Sequence, residues 1–346
     1  MSEVKSKKHF RLGFKRWLII ALFLIGGYAA FGPIGIFKPV SPVVVLPGEH
    51  IFTIFGFSVT NTILATLLAD VLIFCIGLAA FRFYRSGNRV PSGILNAFEA
   101  IVEFLWNTVE GAVGNKWGKR VIPVVGTIFI LIFVANMVKL VPGFESIGLL
   151  EQAKKGTGYS PVELFKVGSL GVFTIDKTTA HKVEGHVESV TNPEGEGLCT
   201  TCEVIPFLRG SATDLNFTFA LAVIAVVMVQ VFGVWKQGPA YFEKFFQFRQ
   251  LVNGGVFGLI NFGVGILEVV LEFAKILSFG FRLFGNIFAG ALLLSIVGAL
   301  TAIVVPPGLY LFEVFFGIIQ AYVFFLLATM FISGSLVSHH SGNHGE

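Results

Sequence analysis

The sequence predicts an all-α, polytopic membrane protein with about six membrane helices, the last two forming a long tilted hairpin. Hydrophobic residues make up 54% of the 346 residues and charged residues only 13%, far from the balance of soluble domains. The mean hydropathy is +0.80. Several separate apolar stretches reach the roughly 20 residues that a helix needs to cross a bilayer. A single anchor helix therefore cannot account for the pattern.

The net charge of +4 does not indicate nucleic-acid binding, because the basic residues lie in short segments between apolar runs. Basic loops of this kind mark the cytoplasmic side of a membrane protein. We therefore expect membrane lipid, and no nucleic acid, around this chain.

Residues 1–37 combine a basic N-terminus with an apolar run over 17–37, which is typical of a signal-anchor helix. The small residues of GGYAAFG leave cleavage by a signal peptidase as an open alternative. Prolines in 38–58 predict an outer loop before the second span, 59–81, in which Asp70 lies near the middle.

Residues 38–142 are expected to hold the second and third spans, joined on the cytoplasmic side. Between these spans, apolar residues recur at helical spacing from Leu95 to Val109. This periodicity predicts an amphipathic helix over 91–115 on the membrane surface, and the third span follows over 121–142.

Residues 143–212 are polar and contain no apolar run long enough to span, which predicts an outer loop or insertion. A small extramembrane subdomain and a partly mobile segment are both open for this length. The pair Cys199 and Cys202 could form a local disulfide, remain free, or supply half of a metal site. Because no second pair exists, we assign no metal site. Cys75, inside an apolar run, is expected to be a buried, inert thiol.

Residues 213–338 are expected to form a channel core. A fourth span runs from Asp214 to Trp235, and two longer apolar runs cover 257–305 and 308–337. Both exceed the length of a perpendicular crossing, so they predict the tilted hairpin. The tail, 339–346, is polar and expected to be solvated.

The first long helix of this hairpin carries polar groups that a bilayer does not favour. At about 100° per residue they share a narrow stripe: Glu268, Glu272, Lys275, Arg282 and Asn286. Charged side chains inside a membrane normally face a partner or water, so the stripe predicts a functional site. Glu268 and Lys275 could pair or snorkel towards the cytoplasmic end, whereas Arg282 lies deeper with no acidic residue one turn away.

The second helix of the hairpin carries Glu313 and Gln320, seven residues apart and therefore on one face. Both could point at the first helix. A carboxyl group in an apolar setting can hold a proton near neutral pH, which suits a proton relay. Gln320 could instead make an interhelical hydrogen bond that only holds the hairpin together.

Four segments resemble one known family. The run ILEVVLEFAKILSFGFRLFGNIFAG, residues 266–290, closely resembles the signature helix of F-type ATP synthase subunit a, in which RLFGN carries the essential arginine. The segment GIIQAYVFFLLATMFISGSL resembles the last helix of that family. TIFILIFVANMVKLVPGF and SATDLNFTFALAV resemble its second span and the start of its third. The resemblance covers nearly all of residues 40–338 in the order of the family.

The resemblance implies roles for particular residues. Arg282 matches the arginine that faces the carboxylates of the rotor ring, and Asn286 matches the asparagine one turn on. Gln320 stands at the usual glutamine position, and Glu268 matches an acidic residue associated with the cytoplasmic access path. Glu272 and Lys275 are further candidates for half-channel polar groups.

Two departures from the family pattern shift a role to Glu313. Ala291 stands where many members place an acid or a histidine, and Glu313 stands where some place a histidine. We therefore expect Glu313 to carry protons in the outer half-channel, helped by Gln320, Asn216 and Asp214.

The same resemblance implies a non-catalytic subunit, with no cofactor, in the plasma membrane of a bacterium. Its implied partners are the c-subunit ring and the b subunits of the peripheral stalk. The chain contains no G-x-x-x-x-G-K-[ST] loop, in agreement with nucleotide chemistry on other subunits.

Two alternatives remain open at this point. A secondary transporter that binds an anion at an intramembrane arginine would favour related repeats and broken helices, which the sequence does not show. A structural scaffold would leave the polar stripe unexplained.

Overall fold

The computed structural model describes most of the chain. The described residues are 17–21, 24–25, 28, 48–54, 56–87, 91–141, 144–145, 147–152, 156–167, 170–183, 202–245, 255–301 and 305–337. The polar tail, most of the predicted first span and Cys199 lie outside them.

Five long helices dominate these residues and confirm the predicted class of a helical, polytopic membrane protein. They are α1 (Asn61–Arg85), α2 (Ile94–Val138), α3 (Leu215–Gln237), α4 (Gly255–Thr301) and α5 (Pro306–Leu336). By length and composition, α1, α2, α3 and α5 can each cross a membrane. Helix α4 has 47 residues and so a length of about 70 Å, more than twice the roughly 30 Å of a bilayer core.

Helix α2 contains both the predicted amphipathic helix and the predicted third span. The sequence predicts them as two separate helices. Gly114 interrupts the helix with φ 76° and ψ 163°, a backbone conformation that suits glycine. Beside this break, the Ser333 hydroxyl donates a 2.8 Å hydrogen bond to the Ala112 carbonyl. The kink therefore separates a surface portion from a membrane portion, and α5 satisfies a carbonyl next to it.

Contacts between helix ends show that α1, α3 and α5 run in the same direction. At one end, the Thr62 hydroxyl of α1 donates to the Asp214 carboxylate, which precedes α3. At the other end, the side chain of Gln237, the last residue of α3, donates to the Ser335 carbonyl of α5 at 2.8 Å. This second end is called the basic side here, because it carries Arg82, Arg85, Lys116, Lys119, Arg120 and Lys236.

One apolar core joins α2, α3, α4 and α5. Phe279 of α4 lies 4.7 Å, centroid to centroid, from Phe324 of α5, and both rings are buried. Gly317 lets α2 approach α5 closely, since a Cβ there would lie 3.2 Å from the Asn136 Cβ. The Asn136 side chain donates to the Gly317 carbonyl at 3.3 Å. This packing leaves the opposite surface of α4 outside the core.

Helix α1 packs differently, because only Asn61, Thr62, Ala65 and Ala69 are buried. Its other faces are open to lipid, and Cys75 lies on one of them as an exposed, free thiol. The expectation of a buried Cys75 is therefore wrong, since the apolar residues of this helix are largely matched to the bilayer and not to a protein core.

Strands occupy the segments predicted as outer loops. A hairpin of β1 (His50–Ile54) and β2 (Phe57–Thr60) precedes α1, with Gly56 at φ 84° in its turn. The 143–212 segment contains β3 (Gly148–Gln152), β4 (Gly156–Val167), β5 (Leu170–Val183) and β6 (Cys202–Pro206), in the order β3-β6-β4-β5. This segment is therefore not a plain loop.

The chain divides into two compact units. One contains Val45–Leu149, Ile205–Ala289 and Val314–Glu346, and with them the helical core. The other contains Met1–Val44, Leu150–Val204 and Gly290–Glu313. Its described part includes the antiparallel pairing of β4 with β5 and of Tyr159 with Cys202.

Candidate functional site

Arg282 lies on the outward face of α4, past the middle of the helix. Its side chain is exposed, while its neighbour Leu283 is fully buried in the core. The guanidinium donates a 3.3 Å hydrogen bond to the Ser278 hydroxyl, one turn earlier on the same helix. The stripe predicted from the sequence thus places its arginine on the surface of the bundle.

The charge of Arg282 has no counter-ion among the residues that the structure describes. Apart from the hydrogen bond to Ser278, Arg282 makes no hydrogen bond and no ion pair with them. An unpaired guanidinium at membrane depth is costly unless an acidic group or water from outside the chain faces it. Arg282 is therefore the candidate site residue whose charge the described residues leave unpaired.

Small residues surround Arg282 on the same exposed face. Gly285 meets nothing within 4 Å of where a Cβ would stand. The exposed members of this face, one turn apart, are Ala274, Ser278, Arg282, Gly285 and Ala289. Small side chains allow the backbones of two membrane helices to approach closely. We call this set the small-residue face.

Asn286 and Gln320 join α4 to α5. The Asn286 amide donates to the Gln320 side-chain oxygen at 3.1 Å, and Gln320 is 4% exposed. The Gln320 side-chain nitrogen has no hydrogen-bond partner within the described residues, so a buried donor there remains available to water. The sequence analysis allowed Gln320 to make an interhelical hydrogen bond, and this contact is of that kind.

Glu313 is buried against α4 in the other compact unit. It is 9% exposed, and its carboxylate oxygen lies 3.6 Å from the point where a Cβ on Gly290 would stand. Glycine at 290 thus leaves room for the carboxyl group beside the helix. Glu313 points towards α4, in the direction that the sequence predicts.

A cavity of about 470 Å³, with several polar side chains in a largely apolar lining, opens where α1 and α3 begin, on the side opposite the basic side. Asp214 caps α3 by accepting from the Asn216 backbone N–H at 2.9 Å, and its second oxygen accepts from Thr62 at 2.8 Å. Asp214 is 5% exposed, whereas Asn216 is exposed. Both predicted half-channel residues therefore line one cavity.

The cavity also contains residues that the sequence reasoning did not select. They are Ser58, Thr60, Thr62, Thr66 and Asp70. Thr62, Thr66 and Asp70 are four residues apart and so lie on one face of an otherwise apolar helix. This four-residue spacing of polar residues could have indicated a polar helix face from the sequence, which singled out only Asp70.

At the basic end of the stripe, Lys275 forms its ion pair with Glu272, three residues away, at 2.8 Å. The Lys275 ammonium also lies 5.0 Å from the centroid of the Phe331 ring of α5. The sequence left open whether Lys275 pairs with Glu268 or snorkels. In the structure it pairs with Glu272 instead of Glu268. Glu268 is half-buried and makes a contact of its own.

The cysteine and metal predictions concern the other unit. Cys202 is disulfide-bonded. Its predicted partner, Cys199, lies outside the described residues, so the Cys199–Cys202 pairing stays a prediction. Within the described ranges, no group of three or more His, Cys, Asp or Glu residues could hold a metal ion.

Comparison with known proteins relates this chain to one family. The profile described as ATP synthase A chain matches residues 63–333. The ATP synthase subunit a of Mycobacterium bovis is 26% identical over 296 residues, covering 83% of this chain and 92% of the relative. The protein of the same name from Mycobacterium tuberculosis gives the same values. The chloroplastic ATP synthase subunit a of Stigeoclonium helveticum is 29% identical over 297 residues, covering 85% and 92%. Since the profile spans well over half of the sequence, this chain belongs to the ATP synthase A chain family.

Proposed function

We propose that this chain translocates protons as the stator subunit a of a rotary F-type ATP synthase, with Arg282 facing the carboxylates of the c ring. The observation that carries this proposal is the exposed guanidinium of Arg282, which has no counter-ion within the described residues. The small-residue face around it supports close approach of a neighbouring helix.

Arg282 would act electrostatically and not as a proton carrier. A guanidinium stays protonated in proteins and donates hydrogen bonds without accepting any. It attracts an ionised carboxylate and repels a cation, so protons cannot pass directly from one half-channel to the other. A rotor carboxylate would pass Arg282 charged, after losing its proton to one half-channel, and would be reloaded from the other.

The cavity at Asp214 supports an outer half-channel. Asp70 lies about 14 Å from the start of α1 at about 1.5 Å per residue, which is near the middle of a roughly 30 Å bilayer core. Thr62, Thr66 and Asn216 supply further hydrogen-bonding groups along this depth. Water in this cavity would lead protons inward from the side opposite the basic side.

Glu313 would carry protons onward from this half-channel. A buried carboxyl group can alternate between its protonated and ionised forms, whereas an amide such as Gln320 can only orient water or a neighbouring group. The side-chain nitrogen of Gln320 is an available hydrogen-bond donor, and its side-chain oxygen accepts a hydrogen bond from Asn286. We assign Glu313 the role of proton carrier, helped by Gln320, Asn216 and Asp214.

Glu268, Glu272 and Lys275 would line the second half-channel at the basic end of α4. The pair of Glu272 with Lys275 holds two charges on the membrane helix without a net charge. Glu268 stands one turn nearer the basic side and would exchange protons with the solvent there.

The family places this chain in a multi-pass membrane setting within the ATP synthase complex. We propose the plasma membrane of a bacterium, with the basic side in the cytoplasm, and the c ring and the b subunits as direct partners. The available energy is about 2.3 kcal/mol per proton per 100 mV, so several transfers must accumulate for each ATP. A secondary transporter is less favoured, because α4 is unbroken over its 47 residues, whereas transporter sites use discontinuous helices.

Arg282→Ala tests the proposal in the assembled complex, reconstituted into vesicles with an imposed proton gradient. We expect ATP synthesis to fall to background while the subunit stays in the complex. Arg85→Ala removes an exposed arginine from the end of α1 and should keep normal synthesis. Normal synthesis by assembled Arg282→Ala complexes would overturn the assignment.

A further inference from the structure

A second exposed arginine lies over the rings of two tryptophans on the basic side. The Arg120 guanidinium carbon is 5.2 Å from the centroid of the Trp117 ring and 4.7 Å from that of Trp235. The two indole rings meet edge to face at 6.2 Å. Trp117 lies just after the kink at Gly114, where α2 enters the membrane, and Trp235 lies at the end of α3.

The aromatic support of Arg120 is anchored in the core. Trp235 stacks on Phe232 at 6.2 Å with an interplanar angle of 12°, and Phe232 is 2% exposed. Trp235 itself is 58% exposed. The Trp235 ring is therefore held in place by a buried ring, while more than half of its own surface stays accessible.

The charge of Arg120 is not neutralised by the described residues. No ion pair or hydrogen bond of Arg120 is found there, and Glu110, the preceding acidic residue, accepts a 2.7 Å hydrogen bond from Asn115. Both indole rings lie within cation–π distance of the Arg120 guanidinium, whose N–H donors stay available to an anion. Three exposed lysines at the same end add positive charge: Lys116, Lys119 and Lys236.

An exposed apolar stripe runs from Trp235 into the membrane. Val227 and Val231 precede Trp235 by two turns and one turn, and they are 50% and 45% exposed. The cluster therefore offers donors for an anion at the membrane surface, directly above apolar surface at acyl-chain depth.

We propose that Arg120, with Trp117, Trp235 and the three lysines, binds the phosphate of an anionic phospholipid in the leaflet on the basic side. Arginine binds phosphate through two parallel N–H donors, and tryptophan favours the headgroup level of a bilayer. Clusters of lysine and arginine beside a membrane helix recognise anionic lipids. A free phosphate ion shares the headgroup chemistry, but it would make no use of the apolar stripe.

The test measures the phosphatidylglycerol retained by the purified full-length chain. Protein in vesicles of phosphatidylcholine with a minor fraction of phosphatidylglycerol is extracted in mild detergent, and the bound lipid is quantified by mass spectrometry. Arg120→Gln should lower the retained phosphatidylglycerol about fivefold. Arg85→Gln is the matched control, since it removes an exposed arginine on the same side without an indole contact, and it should leave retention unchanged.

A second variant separates the contribution of the positive charges from that of the tryptophan rings. Trp235→Leu keeps all four basic residues and removes one aromatic face, so we expect an intermediate loss of phosphatidylglycerol. Equal retention by wild type, Arg120→Gln and Trp235→Leu would overturn the site. Displacement of the lipid by inorganic phosphate alone would overturn the assignment to a lipid and transfer the site to a free anion.

Discussion

The Asn286 side-chain amide donates a hydrogen bond to the side-chain oxygen of Gln320, across the two helices of the hairpin, at 3.1 Å. Asn286 lies one turn beyond Arg282 on α4, so this bond fixes the rotation of α4 about its axis. With that rotation, Leu283 and Ile287 enter the core and Arg282 faces outward.

The first prediction concerns this hydrogen bond. Asn286→Leu and Gln320→Leu should each lower proton-driven ATP synthesis, because either change frees the rotation of α4. The double variant should lower synthesis no further than the worse single variant. In thermal unfolding of the detergent-solubilised chain, the coupling free energy of the pair should be about 0.5–1 kcal/mol, as for other hydrogen bonds between membrane helices. Fully additive effects would mean that the two residues act separately.

The second prediction assigns the outer proton carrier. Glu313→Gln keeps the size and the hydrogen-bonding capacity of the side chain but cannot exchange a proton, so ATP synthesis should fall at least tenfold, a typical scale for lost acid–base function being about 10²–10⁴. The readout is synthesis over a range of external pH in reconstituted complexes. Glu110→Gln, on the surface portion of α2, is the control and should be neutral. Unchanged turnover of Glu313→Gln at every pH removes Glu313 from the relay.

Much of this site followed from the sequence, since helical periodicity is strong in long apolar segments. Arithmetic at 100° per residue put Asn286 on the polar stripe and Gln320 on the face of Glu313, and the observed 3.1 Å bond fits both placements. The ends of α3, α4 and α5 lie within a few residues of the predicted spans. These features depend on local order along one helix.

Features that depend on contacts distant in sequence were missed. The β1–β2 hairpin and the strands of the 143–212 segment acquire their pairing from registers that local composition does not reveal. The cavity joins Thr62 to Asp214, two residues 152 positions apart, and neither sequence segment alone indicates the other. Lys275 pairs with Glu272 and not with Glu268. Side chains three residues apart on a helix are direct neighbours, whereas side chains seven residues apart are separated by two turns.

The third prediction tests the outer cavity. A Cβ on Gly48 would lie 2.6 Å from the Thr62 hydroxyl and 2.9 Å from an Asp214 carboxylate oxygen. Gly48→Ala should therefore displace the Thr62–Asp214 pair and slow proton uptake, measured as passive proton flux in vesicles. Gly77→Ala is the matched control, because a Cβ there meets nothing within 4 Å, and it should leave proton flux unchanged. Equal flux in the two variants would separate the cavity from the proton path.

The fourth prediction tests the small-residue face as the contact surface for the rotor. Gly285→Leu adds a large side chain one turn from Arg282, where this chain alone offers no obstacle, so the isolated subunit should fold and insert normally. In the complex the leucine should hold the rotor helix away from Arg282, and ATP synthesis should fall tenfold or more by the distance dependence of the charge pair, while bound c subunits per complex decrease. Gly334→Leu makes the same change at an exposed position of α5 near the basic side, also without neighbours within 4 Å, and should be neutral. Full activity of Gly285→Leu would mean that the rotor meets this chain on another face, and that the guanidinium of Arg282 has a different partner.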